Sequence, residues 1–434
     1  MRLIALLLLL SAPPALAQTT ATECDRLAGH HHTPRLPGLP GPVFVTDPAA
    51  AIAACESAVA APGADPFLRL LLARAYEAAD SADPRILPLI ESTLADSPLF
   101  ATSRLARLHA EGLGGLPVDP ARAEALNTQV CAAAPDRFAL AACHNLALTD
   151  IRAGVDLPQA VALMERTCAQ GLGLACLNLA FEMAEGGALP PDPPRQIALY
   201  IAACERGETQ VCEVAGYALD VGDGVAQDLP QAARLYARAC EAGFQTGCHA
   251  LGSMEIWGDG VARDWPRGMA RLAAACEAGV ADACYDRGLE LVHGRDGAGD
   301  VTPEGQAEAV ATFRRLCGSD HARACTELGF LHQEGRALPP DAGLALGFSR
   351  RGCDLGDPMG CNNLGVHLRD GLGTPRDPAR ADSHLRAACE AGLGLACENL
   401  AQMAEAGALG LADPVAAAAL RLHACQSGHA ASCR

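Results

Sequence analysis

Residues 222–258 contain one complete unit of a repeating pattern, and they read GDGVAQDLPQAARLYARACEAGFQTGCHALGSMEIWG. Asp228, with a Pro two positions later, is typical of a helix start, where Asp caps free N–H groups and Pro fits the first turn. Tyr236 precedes Cys240 by four residues, which places both on one helical stripe. Gly243 favours the left-handed conformation that ends a helix. The stretch therefore predicts a helix, a short turn and a second helix.

The same pattern recurs along the chain and is marked by pairs of Cys eight positions apart. These pairs are Cys168/Cys176, Cys204/Cys212, Cys240/Cys248, Cys276/Cys284, Cys317/Cys325, Cys353/Cys361, Cys389/Cys397 and Cys425/Cys433. Their first members are 36 residues apart, except for one interval of 41. A period of this size indicates a solenoid built from helix pairs.

The Cys spacing also predicts a disulfide in every pair. In an uninterrupted helix, residues eight apart would be separated by about 12 Å, whereas bonded Cys need Cα atoms within about 7 Å. The Gly that follows most first Cys supplies the required turn. Cys131 with Cys143 forms a similar pair with a longer turn, and Cys24 is paired with Cys55 because these two remain. We expect ten disulfides and an oxidising compartment.

A very small side chain lies four residues after each second Cys, and this recurrence suggests a close crossing of helices. The residues are Ala147, Ala180, Gly216, Gly252, Gly288, Gly329, Gly365 and Ala401. Gly costs about 1 kcal/mol in a helix relative to Ala, so its repeated use needs a reason such as tight packing.

The ends of the sequence predict further organisation. Residues 1–17, MRLIALLLLLSAPPALA, have one Arg, an apolar core and a small-x-small end, which indicates a cleaved signal peptide. The apolar run is too short to span a bilayer, which takes about 20 residues. The remaining divisions are a Pro- and Gly-rich arm with a short helix at 18–62, a degenerate helix pair at 63–94, and the repeat array at 95–434.

Composition excludes several classes of function. All 33 basic residues are Arg, and the net charge is −18. Nucleic-acid binding rests on dense basic patches, so no nucleic-acid partner is expected. The absence of Lys removes any mechanism that needs a catalytic amine. No segment of the sequence has an apolar run long enough to predict a membrane span.

The residues of the quoted unit resemble the Sel1-like repeat family, which is related to tetratricopeptide repeats. The resemblance is carried by GDGV at 222–225, Asp228, Ala232, Tyr236 and ACEAG at 239–243. The Cys pairs narrow it to the cysteine-rich branch known from Helicobacter cysteine-rich proteins. It implies an all-α, right-handed α/α superhelical solenoid of about 36-residue repeats joined by disulfides, with a concave inner surface.

Asn145, Asn178, Asn363 and Asn399 each lie two residues after a second Cys, at equivalent positions of successive units. The resemblance to tetratricopeptide-like folds implies that such Asn side chains can bond the backbone of a bound peptide. They are therefore candidate ligand-binding residues. The alternative is that they satisfy backbone groups near a helix start.

Two patterns raise the possibility of metal binding. His30, His31 and His32 form a run within the arm, but adjacent His residues share one ion poorly, and a solvated loop is the favoured interpretation. The Gly-Asp-Gly turns offer only one or two acidic groups each, too few for a calcium loop. No metal site and no cofactor are predicted.

The leading functional hypothesis is an exported, non-enzymatic scaffold, periplasmic or extracellular, that binds an extended protein or peptide partner in its concave groove. The resemblance to cysteine-rich relatives implies a second hypothesis, β-lactam binding or hydrolysis. Serine enzymes of that type need S-x-x-K and K-T-G elements, which a chain without Lys cannot contain, so no catalytic residue is assigned. A third hypothesis is a structural envelope protein without a specific ligand.

Overall fold

The computed structural model describes residues 21–29, 44–133, 137–294, 301–408 and 410–433. These residues form helices and turns without any strand, and the predicted all-α solenoid is confirmed. The proposed signal peptide at 1–17 and the run His30–His32 lie outside the described residues. No helix in the described ranges has the length and apolar character needed to cross a membrane.

The chain divides into two compact units, Met1–Glu208 and Thr209–Arg434. The helices of the first are α1 (Glu23–Ala28), α2 (Pro48–Ala60), α3 (Phe67–Ala79), α4 (Ile86–Glu91), α5 (Pro98–Glu111), α6 (Pro120–Cys131), α7 (Arg137–Ala153), α8 (Leu157–Ala169), α9 (Gly173–Glu182) and α10 (Pro193–Glu205). Those of the second are α11 (Cys212–Val221), α12 (Leu229–Glu241), α13 (Gln245–Trp257), α14 (Trp265–Glu277), α15 (Ala281–His293), α16 (Pro303–Gly318), α17 (Ala322–Glu334), α18 (Ala342–Asp354), α19 (Pro358–Asp370), α20 (Pro378–Glu390), α21 (Gly394–Glu405) and α22 (Pro414–Gln426). Short 3-10 turns occur at Thr209–Val211 and Ala430–Cys433.

The first four helices pack together around a core that continues into α5. α1 is joined to α2 by the Cys24–Cys55 disulfide, and both helices pack against α3. Leu71 and Ile90 are buried in this cluster, and the ring of Phe67 stacks on that of Phe100 with centroids 4.9 Å apart. These helices occupy the arm and the degenerate pair that the sequence suggested.

From α5 onward, odd-numbered and even-numbered helices have different surroundings. Each odd helix from α7 to α21 carries the second Cys of a pair, and each even helix from α6 to α22 carries the first. Within a unit, successive odd helices contact one another: α5, α7 and α9 in the first, and α11, α13 and α15, then α17, α19 and α21, in the second. We call these the odd rows.

The small residue four positions after each second Cys allows the predicted close crossing of an odd helix with the even helix that follows it. A Cβ on Gly365 would lie 2.6 Å from Leu385 Cγ, and one on Gly288 would lie 2.6 Å from the Phe313 ring. Leu385 and Phe313 are fully buried and lie four residues before the first Cys of their pairs. Most odd helices of the array therefore provide a flat patch on which the next even helix places a large side chain.

Most even helices from α6 to α22 begin after the Asp that the sequence predicts. Asp228 and Asp264 each accept a hydrogen bond from a backbone N–H three residues on. Asp156 is an exception, because it has φ 40° and its side chain makes no capping bond. Only residues 154–156 connect α7 with α8, and this short turn forces Asp156 into the left-handed region.

The Gly-x-Gly turns after α13 and α19, Gly258-Asp259-Gly260 and Gly371-Leu372-Gly373, are held close to the preceding repeat. Gly373 has φ +73°, and a Cβ there would lie 2.3 Å from the carbonyl oxygen of Ala342. Gly260 would place a Cβ 2.3 Å from the carbonyl carbon of Leu229. The second Gly of these turns is therefore required both by its backbone conformation and by contact with the start of an earlier even helix.

All twenty Cys are disulfide-bonded. The bonds include Cys24–Cys55, Cys131–Cys143, Cys168–Cys176, Cys240–Cys248, Cys276–Cys284, Cys317–Cys325, Cys353–Cys361, Cys389–Cys397 and Cys425–Cys433. Cys204 and Cys212 are also disulfide-bonded. This content of disulfides is characteristic of an oxidising, exported environment.

Candidate functional site

The odd row of the first unit brings two of the predicted Asn residues together. His144 Nδ1 lies 3.1 Å from Asn145 Oδ1, and His144 Nε2 lies 2.7 Å from Asn178 Nδ2. Burial lowers the pKa of His144, so the ring is neutral and can donate from Nδ1 while accepting at Nε2. The imidazole thus fixes two amides on neighbouring helices α7 and α9.

The other two Asn residues meet in the second unit. Asn399 donates from Nδ2 to Asn362 Oδ1 at 2.8 Å, and Asn362 donates from Nδ2 to Asn363 Oδ1 at 3.2 Å. Arg369 donates from Nη1 to Asn399 Oδ1 at 3.2 Å. The Asn side chains in both units bond other side chains rather than backbone groups near a helix start.

The four Asn residues therefore form two separate pairs, Asn145 with Asn178 and Asn363 with Asn399. The helices between them carry other residues at the equivalent position, namely Val214, Ala250, Asp286 and Glu327. The Asn residues are neighbours only within each pair, and the ligand contact that the sequence suggested stays a prediction. The sequence analysis missed His144 and Asn362, which connect the members of each pair and precede Asn145 and Asn363 in the chain.

Large apolar side chains are exposed at the start of the second unit's odd row. On α11, Val214 is 50% exposed, Tyr217 57% and Val221 52%, and on α13 Trp257 is 41% exposed. In the sequence, Tyr217 belongs to a recurring pattern, an apolar residue five positions after many second Cys. These residues are Leu148, Phe181, Tyr217, Leu289, Phe330 and Val366.

Beside Trp257, the row becomes polar and charged. His249 Nε2 on α13 lies 2.7 Å from Asp286 Oδ2 on α15. Arg323 on α17 lies 3.7 Å from the same carboxylate and has its guanidinium carbon 4.3 Å above the centre of the Tyr285 ring. Burial raises the pKa of Tyr285 to about 12, so its hydroxyl stays protonated.

Two cavities lie along the odd rows. One of about 190 Å³ is lined by Ser253, Trp257, Asp286 and Leu289, where the small Ser253 replaces the large residue found at its equivalents. The other, of about 600 Å³, lies between α5, α6 and α7 and is lined in part by Asn145. Both cavities could accept a side chain of a bound polypeptide.

One group in the described residues has the proximity of a metal site. Donor atoms of Cys389, Cys397 and His423 lie within 4.8 Å of one another. The two sulfurs are bonded to each other, however, and metal binding by Cys requires thiolates. In the oxidised protein this group is therefore a disulfide with a neighbouring imidazole.

Comparisons with known proteins agree with this architecture. The Sel1 repeat profile matches residues 100–126, 138–172, 173–208, 212–244, 322–357 and 358–393. Each of the matches at 173–208, 322–357 and 358–393 includes one odd helix and the following even helix. No curated protein sequence matches the chain significantly.

Solved structures provide further likenesses. A protective antigen of uropathogenic Escherichia coli with an SLR fold is 19% identical, with a TM-score of 0.50, and the match covers 87% of this chain and 90% of that one. A Sel1 repeat protein from Oxalobacter formigenes is 22% identical over 52% of this chain and 94% of its own (TM-score 0.46). Helicobacter pylori cysteine-rich protein B is 27% identical over 30% of this chain and 92% of its own (TM-score 0.21). On the six segments that match the Sel1 repeat model, the chain belongs to the Sel1 repeat family.

Proposed function

We propose that this chain is an exported scaffold whose odd rows bind an extended segment of a partner polypeptide. The observation that carries the proposal is the exposed cluster of Val214, Tyr217, Val221 and Trp257 on α11 and α13. Exposed aromatic side chains are costly to leave in water and are the residues that most often dominate binding energy at protein interfaces.

The surroundings of this cluster favour an extended polypeptide over a flat protein surface. Trp257 borders the cavity of about 190 Å³, and Asp286 and Arg323 lie at the same cavity. An apolar pocket with a few fixed polar groups suits one side chain together with its backbone. Since each repeat contacts mainly its neighbours, successive helices offer such contacts at regular intervals along the row.

The paired Asn residues would supply backbone recognition. Asn145 is exposed, and Asn178, Asn363 and Asn399 are half-buried, so their amides lie at the surface of the odd rows. A side-chain amide offers both a donor and an acceptor, which matches the N–H and C=O of an extended peptide. We therefore assign them to ligand contact, with His144 and Asn362 as the residues that hold them in place.

Selection of random dodecapeptides on the oxidised full-length protein tests this function. The double variant Tyr217→Ala with Trp257→Ala is expected to bind the selected peptides at least about tenfold more weakly. This corresponds to a loss of about 1.4 kcal/mol in binding free energy. The matched control is Val415→Ala with Leu422→Ala, which removes exposed apolar residues from the even helix α22 of the same unit. Equal affinities for the two variants, or no selected peptide at all, would refute the proposal.

Export is the second part of the proposal. It is supported by the disulfide-bonded state of all Cys and by the signal-peptide character of residues 1–17. Protein expressed with its full sequence in a bacterium and recovered from outside the cytoplasm should begin at Gln18. An intact Met1 on the recovered, oxidised protein would contradict cleavage.

A further inference from the structure

At the cavity between α5, α6 and α7, a polar residue stands where most other repeats have a large apolar one. The residue four positions before the first Cys of a pair is large and apolar in most even helices, where it packs on the preceding odd helix. These residues are Met164, Tyr200, Tyr236, Leu272, Phe313 and Leu385. In α6 the equivalent residue is Asn127.

The preceding odd helix does not close the gap. Asn127 lies across from Ala106 of α5, and the two residues line a cavity of about 600 Å³ together with Ala123. Ser349 is the comparable small residue in α18, but there Gly329 lets the helices approach until a Cβ on it would lie 3.1 Å from the Ser349 backbone nitrogen. The first unit instead retains an open cavity at this position.

Asn127 is left with an unsatisfied acceptor. Its side chain is 9% exposed, and within the described residues its Oδ1 accepts no hydrogen bond. Buried side-chain oxygens are rarely left unbonded, because the lost hydration is not replaced. A ligand in this cavity that carries N–H groups would satisfy the Asn127 amide.

The charges around the cavity favour a cation. Glu111 and Glu124 line it, as do Arg107 and Arg152. Both arginines already form ion pairs with carboxylates. Arg107 lies 2.7 Å from Glu77 and 2.9 Å from Glu111, and Arg152 lies 2.7 Å from Glu182. Glu124 has no basic partner within the described part of the chain.

The pKa of the neighbouring Asp150 is consistent with the same excess of negative charge. Burial raises the pKa of Asp150, one helical turn from the cavity-lining Leu146, and the nearby carboxylates Glu124 and Asp156 raise it further. With a net charge of −18 for the whole chain, basic partners are also attracted at long range. An anionic ligand would have to displace existing ion pairs in order to bind here.

We propose that the cavity between α5, α6 and α7 binds an arginine side chain of the partner polypeptide. The planar guanidinium carries five N–H donors, so it can donate hydrogen bonds to the Asn127 amide oxygen and to the Glu124 carboxylate at the same time. Asn145 lies at the same cavity and is placed to contact the backbone beside that arginine. The inference rests on the proposed polypeptide-binding function and specifies one required residue of the ligand.

The probe is an acetylated, amidated nonapeptide with one central arginine among alanines, compared with the same peptide containing citrulline, which has a similar shape but no charge. Calorimetric titration of the oxidised full chain should give at least about tenfold weaker binding for citrulline, since a charge-assisted contact is replaced by a neutral one. A peptide with central lysine is expected to lie between the two. Equal affinity for arginine and citrulline would overturn the proposal.

The decisive variant is Asn127→Met, because Met164 occupies the equivalent position of the next repeat. The substitution places a larger apolar side chain at the cavity and removes the unsatisfied oxygen, so we expect at least about tenfold weaker binding of the arginine peptide with a melting temperature that does not fall. Glu124→Gln should also weaken binding. The control is Ser349→Ala at the corresponding position of α18, which should leave binding unchanged.

The two proposals fail in different ways. Arginine-peptide binding that survives Asn127→Met overturns the arginine site. If peptides selected from the random pool still depend on Tyr217 and Trp257 in that case, the polypeptide-binding function stands without this site. If neither the arginine peptide nor any selected peptide binds, both proposals are refuted.

Discussion

Replacement of Phe313 by alanine is expected to lower the free energy of unfolding by about 3–5 kcal/mol, the range for loss of a buried aromatic side chain. Phe313 is 0% exposed, and its ring lies 5.7 Å from that of Tyr285 on α15. It also covers Gly288, where no side chain can move in to fill the space. Urea unfolding of the oxidised protein, followed by circular dichroism, measures this loss.

The control for this prediction is Phe244→Ala. Phe244 is 37% exposed at the start of α13, so its removal should cost well under half as much. A double-mutant cycle checks the contact itself. Gly288→Ala should destabilise the wild-type protein, because the new methyl meets the Phe313 ring, but should cost less in the Phe313→Ala background. Additive effects of Gly288→Ala and Phe313→Ala would contradict the packing described here.

The solenoid was predictable because its determinants are short-range. The Cys pair, the Gly after most first Cys and the Asp before most even helices are all visible within a single repeat of about 36 residues. Each acts locally, through a helix start, a turn or a bond across that turn. Asp156 shows the limit of this reasoning, since its conformation depends on the length of the turn rather than on residue type.

The candidate site was predictable only in part, because it depends on contacts between repeats. The sequence marked Asn145 and Asn178, but the His144 ring that joins them becomes visible only when α7 and α9 lie side by side. The cavity at Asn127 is harder still to anticipate. A polar residue in an apolar position can be solvated, buried by closer packing as at Ser349, or left beside an open space, and only the geometry of α5 decides among these.

Removal of one interior disulfide is expected to be the second large perturbation. Cys317 and Cys325 close a loop with a sequence separation of 8, for which the chain-entropy relation gives about 2–3 kcal/mol. Both Cys residues are buried, at 2% and 0% exposure. Serine at these positions would bury hydroxyls without hydrogen-bond partners, so alanine is the better replacement. Urea unfolding of Cys317→Ala with Cys325→Ala, without reductant, measures the cost.

The position of the bond in the array should matter as much as the size of its loop. Cys425–Cys433 has the same sequence separation, but Cys433 is exposed in the 3-10 turn at Ala430–Cys433, which packs on α22. Since repeats contact mainly their neighbours, loss of the Cys317–Cys325 bond loosens packing on both sides, whereas loss of the last bond frees mainly this turn. The second pair of alanines should therefore change the main unfolding transition by less than about 1 kcal/mol. Equal losses in the free energy of unfolding for the two pairs of substitutions would mean that the disulfides act on the unfolded chain alone, since their loops are equal in length.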